Sequence, residues 1–507
     1  MTSNNLDTMD PTQPRPSGAD RGAQRLAIGA ALLLLAAGCA VGPDYKRPAV
    51  AVPAAFKENP GWKVASPSDG AKRGPWWEVF NDPALNEMEA AVESANLSVA
   101  QAVANYEEAR QLARSDRTSY LPTVGLLASA ERLKVPEVQT QAGRGTTSSA
   151  YTGELQASWE PDLWGKLRRT VESDIATAQV SAADLVSARL SAQGTLAQDY
   201  IALRAADDQM RLLENAVEAF RRTLAITKNK YAVGVSARSD IITAQTQLDS
   251  TRAQLIGVGV QRAQYEHAIG VLLGMAPASF SIARRPDLGI AIPIIPPVMP
   301  SSLLERRPDI ASAERAAAAA NAKVGIQTAA YFPNLTLSAV TGYEGSPISS
   351  LFSQPFEFWT LGAQAADTLL DWGQRSDVVR SAKAAYRSAA ANYRQTVLTA
   401  FQQVEDNLAE IRILSDEAQV EQDAVSEATL AAQIALNEYN AGTVDFTTVV
   451  TAQVTELTNR QTALSINASR LTSSVALIQA LGGGWTSADL PTPGQVVGRK
   501  QVTGLGN

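Results

Sequence analysis

Tyr439-Asn440-Ala441-Gly442-Thr443-Val444-Asp445 stands between two long helical runs, and Tyr231-Ala232-Val233-Gly234-Val235-Ser236-Ala237 echoes it 208 residues earlier. The same interval carries Thr243-Ala244-Gln245 to Thr451-Ala452-Gln453, Trp164-Gly165 to Trp372-Gly373 and Leu273-Gly274 to Leu481-Gly482. Four anchors in one register are an internal duplication. In both copies a Tyr ends a helix, a Gly is free to take the left-handed turn that helix ends favour, and a second helix leaves within a few residues. Each echo therefore reads as the tip of a helical hairpin, the first near 231–240 and the second near 439–448.

The arms of those hairpins are long. Residues 374–438 contain neither Gly nor Pro, so an unbroken helix there would be about 100 Å long at ~1.5 Å per residue. The equivalent stretch, 166–230, places Leu196, Tyr200, Leu203, Ala206, Met210, Leu213, Val217, Phe220 and Leu224 three and four apart. That is a seam for another helix rather than a ligand site. Return helices are expected at 238–273 and 446–480, and helices at 83–119 and 301–328 to continue the wall where the return helices end.

Tyr120-Leu121-Pro122 and Tyr331-Phe332-Pro333 break those last two helices, and after each break the hydrophobic period changes to two. Tyr151, Gly153, Leu155, Ala157 and Trp159 alternate with Thr152, Glu154, Gln156 and Ser158, a strand with one oily and one wet face. Val124, Leu126, Ala128 and Ala130 form another, Leu335, Leu337 and Ala339 a third, and Trp359, Leu361, Ala363 and Ala365 a fourth. The connecting loops, about 133–149 and 345–357, are polar or rich in Gly, Ser and Pro. Each copy thus carries one β-hairpin, at 121–160 and 334–369. A small soluble sheet is the plain alternative. Against it, the mature chain has no apolar run long enough for a membrane helix, while the strands have roughly the ten-residue length and aromatic ends of a membrane barrel. Four strands cannot close a barrel and open edges are not tolerated in lipid, so the barrel must be shared. Two, three or four copies are all geometrically possible.

The termini and the junction between the copies carry their own signals. Arg21 and Arg25 precede an apolar run from Leu26 to Ala37, too short for a membrane span and right for the core of a secretory signal. The run ends Leu35-Ala36-Ala37-Gly38-Cys39. A buried thiol is the plain reading of that lone Cys; the lipobox reading has residues 1–38 cleaved away and Cys39 acylated as a diacylglycerol thioether with an N-palmitoyl group. Ala36 departs from the Leu usual in a lipobox, and Ala40, in place of Asp, suits a lipoprotein bound for the outer membrane. Residues 39–75 read as an extended Pro-rich tether, 275–300 with six prolines as a crossover, and 485–507 as a loosely ordered tail. The repeats are then 76–274 and 301–484.

A formal charge of −7 gives no basic surface for nucleic acid. Nothing reads as an enzyme or calls for a cofactor beyond the lipid. His267 is the single His and reads as structural, and there is neither a phosphate-binding Gly loop with Lys nor zinc-ligand spacing. Transport through such a chain should be passive.

Cys39 with Gly42-Pro43-Asp44-Tyr45, Trp76-Trp77, Phe80-Asn81-Asp82-Pro83-Ala84-Leu85, Leu304-Glu305-Arg306-Arg307-Pro308-Asp309-Ile310 and Leu481-Gly482-Gly483-Gly484-Trp485 resemble the TolC/NodT-type outer-membrane efflux lipoproteins over nearly all of the mature chain. The resemblance implies a mainly α protein with membrane β, a homotrimer whose 12-stranded β-barrel is continuous with a periplasmic α-helical barrel. It further implies an exit duct for drugs or other toxic small molecules, embedded in outer-membrane lipid. Its partners would be a periplasmic membrane-fusion adaptor and an inner-membrane RND-type pump. The duct of a type I protein-secretion system, or a structural coiled-coil lipoprotein with no pore, are the alternatives. In the resembled family the two tips close the periplasmic end. The matching positions are Ser239 and Asp240 with Tyr439 and Val444, flanked by Tyr231 and Asp445. Tyr439 is expected to donate its hydroxyl to the Asp240 carboxylate. Val444 stands where some members carry a basic residue, which predicts a weaker clasp. Thr448 and Thr451 stand where many relatives place Asp, which removes an acidic ring.

Overall fold

The structure is a computed structural model that describes residues 40–58, 75–136, 146–285, 288–293 and 300–498. The signal segment, Cys39 and residues 499–507 lie outside the described residues. The chain divides into two compact units, one formed by residues up to 45 with 115–173 and 320–385, the other by 46–114, 174–319 and 386 onward. The main elements in order are α1 (Pro83–Ala95), α2 (Leu97–Thr118), β1 (Thr123–Val135), β2 (Thr146–Trp159), α3 (Lys166–Ala232), α4 (Arg238–Leu272), α5 (Leu303–Arg306), α6 (Pro308–Ala329), β3 (Asn334–Gly345), β4 (Glu357–Ala366), α7 (Gln374–Ala441), α8 (Phe446–Ala480) and α9 (Pro493–Val497). The order of the first copy, helix, hairpin, long helix and return helix, recurs in the second.

The first unit holds one antiparallel sheet in the order β1-β2-β3-β4. Leu126 pairs with Leu155, Leu155 with Thr341 and Thr341 with Trp359, so one row of one face runs Leu, Leu, Thr, Trp. The next row on that face is Val124, Ala157, Ala339 and Leu361. Leu126 is 77% exposed and Trp359 70%, so this apolar face meets solvent rather than a core. The opposite face carries Gln156, Ser158 and Gln364. Asp162 accepts from the Leu167 and Arg168 amides at the start of α3, and Asp371 from the Gly373 and Arg375 amides at the start of α7. The tether is not free where it is described. The Val41 amide donates to the Trp164 carbonyl at 3.1 Å, Asn321 donates to the Pro43 carbonyl, and Arg169 pairs with Asp44 at 2.7 Å. Gly42, at φ 96°, lies so close to Gly325 that a Cβ would come within 2.5 Å of its Cα.

In the second unit the expected seam of α3 is buried: Leu196, Tyr200, Leu203 and Leu213 are fully enclosed, and Val217, Phe220 and Leu224 pack with Leu248 of α4 and Val449 and Leu457 of α8. Two helices expected as single runs are each broken once. Asn96 accepts from the Ser98 and Val99 amides and so caps α2, ending α1 one residue earlier. Arg307 sits at φ −95° and ψ 121° because Pro308 forbids the helical region to the residue before it. Its guanidinium then bridges Asp309, Gln403 and the Ala480 carbonyl at the end of α8. The described start of the crossover is likewise fixed. Asp207, fully buried, accepts from Arg204, Arg262 and the Arg285 amide, while Arg204 and Arg262 donate to the carbonyls of Ala283 and Ile282.

The tail departs from expectation. Residues 485–498 are folded down through α9. Val496 is buried with Ala113 and Ala178, Gln179 donates to the Pro491 carbonyl, and Arg110 and Arg114 donate to the carbonyls of Val496 and Gly498.

The carboxyl of Glu89 lacks compensation. Glu89 lies one turn from Leu85 and one from Val92 on α1, all three fully enclosed, and neither carboxyl oxygen finds a partner among the described residues. Burial pushes its pKa up to about 9. The folded chain therefore keeps the acid neutral while the unfolded chain ionises it above the ordinary carboxyl value. Stability is lost as pH rises from that value toward about 9, at roughly 1.4 kcal/mol per pH unit. Glu89→Gln should raise the unfolding temperature of the extracted protein at pH 8 and leave it unchanged near pH 4.5. Equal stabilities at pH 8 would mean that the carboxylate is paired.

Candidate functional site

The two hairpin tips belong to one unit and are built alike. The Gly234 amide donates to the Tyr231 carbonyl and the Val235 amide to that of Lys230; Gly442 and Thr443 donate to Tyr439 and Glu438 in the same pattern. Gly234 at φ 79° and Gly442 at φ 81° take the left-handed geometry that lets each turn close. The side chains then diverge. Tyr439 is 6% exposed and packs on Phe446, ring centroids 5.4 Å apart, whereas Tyr231 is 46% exposed. The reason is in the repeat: the position equivalent to Phe446 is Arg238, which gives Tyr231 no ring to pack on.

The expected bond from Tyr439 to Asp240 is replaced by a relay. The Tyr439 hydroxyl lies 3.3 Å from Ser236 Oγ, and Ser236 donates to Asp240 Oδ2 at 2.7 Å. Asp240 also accepts from the Ala237 amide, so its first duty is to cap α4, and Ser239 reaches its other oxygen at 3.4 Å. The stronger tie is one the sequence reading missed. Lys230 Nζ sits 4.0 Å from the centroid of the Tyr439 ring and donates to the Tyr439 carbonyl. A cation over an aromatic face is attracted by the ring quadrupole, and the same ammonium is a second donor to the carbonyl that already accepts from the Gly442 amide. The available signal was a difference between the copies, since Lys230 is matched by Glu438.

The remaining tip residues are quieter. Val444 is half-buried against the apolar cluster between the hairpins. Asp445 caps α8 by accepting from the Thr448 amide and hydroxyl, both at 2.9 Å. The bond from the Thr448 amide, then that from its hydroxyl, holds the Asp445 pKa below the ordinary value. Thr451 donates to the Thr447 carbonyl. Thr448 and Thr451 are exposed, with their hydroxyls engaged locally, and bring no charge to the tip. Among the described residues no group of His, Cys, Asp and Glu could hold a metal ion, and no helix is long and apolar enough to cross a membrane.

Lys230→Met should therefore loosen the second tip more than Tyr439→Phe does. The loss of a cation–ring contact of about 1–2 kcal/mol corresponds to roughly tenfold faster amide exchange at Gly442 and Thr443. Exchange unchanged in Lys230→Met would mean that this contact does not hold the turn.

The comparisons with known proteins agree with this architecture. The family model described as outer membrane efflux protein matches residues 81–275 and 299–483, one stretch per repeat. The antibiotic efflux pump outer membrane protein ArpC of Pseudomonas putida is 29% identical over 452 residues, 88% of this chain and 93% of its own. The toluene efflux pump outer membrane protein TtgC of Pseudomonas putida matches with the same identity and the same coverage. Among solved structures, the outer-membrane channel OprN superposes with a TM-score of 0.82 at 30% identity, over 88% of this chain and 100% of its own. The chain belongs to the outer membrane efflux protein family.

Proposed function

We propose that this chain is the exit duct of a tripartite efflux system and works as a homotrimer with a periplasmic membrane-fusion adaptor and an inner-membrane RND-type pump. The observation that carries the reading is the sheet: four strands with an apolar face turned to solvent and with β1 and β4 each lacking a neighbour on one side among the described residues. In hydrocarbon those edges must be paired, and three copies supply twelve strands for a closed barrel. Antibiotic and toluene efflux are what the two relatives are named for. We extend that to small, largely apolar toxic molecules as the cargo here. The inner-membrane pump supplies the energy, and this chain conducts passively.

Two further assignments belong to the same proposal. Cys39 carries the acyl chains, and the hydrogen bond from Val41 to Trp164 supports it by tying the chain two residues later to the turn that leaves β2. The tips form the periplasmic closure, with Lys230 and Tyr439 as its latch and Thr448 and Thr451 as an uncharged lining.

The test is electrical. Purified protein inserted into a planar lipid bilayer should pass ions along their gradient with no nucleotide or pump present, and Lys230→Met should raise the conductance. Thr451→Asp should shift selectivity toward cations several-fold and introduce block by divalent ions, because repeated copies would place a ring of carboxylates at one level. Inserted protein that never conducts would overturn the duct, and a Thr451→Asp channel with unchanged selectivity would move the lining away from that position.

A further inference from the structure

The duplication reaches further than the fold, because it relates the seam inside one copy to the seam the copy leaves open. Advancing β1 by 211 residues carries Tyr120-Leu121-Pro122 onto Tyr331-Phe332-Pro333, and advancing β2 by 208 carries Trp164-Gly165 onto Trp372-Gly373. Under these two shifts the pairs of the first β-hairpin become those of the second: Thr123 with Ser158 becomes Asn334 with Ala366, and Arg132 with Ser149 becomes Tyr343 with Glu357. The relation therefore holds at the level of individual strand pairs.

Between the two hairpins lies the internal seam, where β2 pairs with β3. At its foot the Trp164 ring stacks on Phe332, centroids 4.8 Å apart and planes 21° from parallel, and the Trp164 indole N–H donates to the Pro333 carbonyl at 2.8 Å. The same parts recur at the outer edges without partners among the described residues. Trp372, the equivalent of Trp164, is 89% exposed, and Leu121, the equivalent of Phe332, is 66% exposed. One edge presents the ring and the other its seat.

We propose that neighbouring copies join by repeating the internal seam: β4 of one copy pairs antiparallel with β1 of the next, with Ala365 opposite Ala128 and Ala366 opposite Leu127, and Trp372 seats on the next copy's Leu121 with its indole N–H on the Pro122 carbonyl. The register follows by applying the same shifts to β2 and β3, since Ala157 with Ala339 becomes Ala365 with Ala128, and Ser158 with Ser338 becomes Ala366 with Leu127. It keeps Ala363 and Ala365 on the same face as Ala128 and Ala130, so the apolar row continues across the junction. A slip of one residue would turn every side chain of the added strand to the wrong face. The inference rests on the homotrimer reading and specifies how its copies meet.

Paired cysteines test the register. Ala128→Cys with Ala365→Cys and Leu127→Cys with Ala366→Cys are both in register, and since such pairs alternate in type along an antiparallel ladder, one of them is the closely spaced, non-hydrogen-bonded kind. Ala128→Cys with Ala363→Cys and Leu127→Cys with Gln364→Cys represent a two-residue slip on the same faces. After oxidation with copper–phenanthroline in membranes, an in-register variant should give a ladder up to covalent trimer, at least five-fold stronger than either slipped variant. Stronger cross-linking in a slipped variant, or none in any variant while native mass still gives a trimer, would overturn the register and leave the trimer standing. A monomer by native mass would overturn the trimer itself. For the ring, Trp372→Ala and Leu121→Ala should each lower the temperature at which the assembly dissociates in detergent, and the double variant should lose no more than the worse single variant. Additive losses would unseat Trp372 from Leu121.

Discussion

A backbone amide or carbonyl left unpaired in hydrocarbon costs several kcal/mol, which no side chain on a bare strand edge can recover. A sheet of β1 to β4 with an apolar outer face has two such edges, and much of the chain can be read as meeting that constraint. Strands short enough to span a bilayer cannot close a barrel in fours, so the solution must come from other copies. The two hairpins are not adjacent in sequence, because each is followed by a 67- or 68-residue helix and its return. The sheet unit is thereby assembled from segments far apart in the chain. Its local order depends on short-range devices, the Asp162 and Asp371 caps and the arm clamped where Gly42 meets Gly325.

Duplication gives the chain its economy, and at the tips the copies diverge in the side chains that surround the shared turn. Gly234 and Gly442 hold the same turn, yet Lys230 faces Glu438 in the alignment and Arg238 faces Phe446. Those exchanges convert one tip into a buried Tyr under an ammonium and leave the other Tyr exposed. A strictly symmetric pair of tips would have offered no such complementarity. The strands also differ at most positions, but they keep the same pairing register and the same alternation of apolar and polar residues.

How much was legible in the sequence follows from the range of the interactions. Long helices announce themselves by the absence of Gly and Pro over tens of residues, and strands by their period of two, both local patterns. The break at Asn96 was hidden because an Asn inside an apolar period resembles any polar helical residue until its side chain caps the next turn. The docked tail was missed for another reason. Arg110, Arg114 and Gln179 hold it by backbone carbonyls, which every residue possesses, so its Gly- and Pro-rich composition pointed only to disorder. At the tips the resemblance pointed to a direct bond between Tyr439 and Asp240 and gave no sign of the Ser236 hydroxyl between them, nor of Lys230, since which side chain fills a gap of a few ångströms is decided by packing.

Pairing of the edges of this sheet in the membrane is read directly by amide exchange. In protein reconstituted into lipid nanodiscs, hydrogen–deuterium exchange followed by mass spectrometry should find β1 and β4 as protected as β2 and β3, with rates falling together along all four strands. Edge strands that exchange orders of magnitude faster than the two central ones would leave the sheet open and contradict the shared barrel.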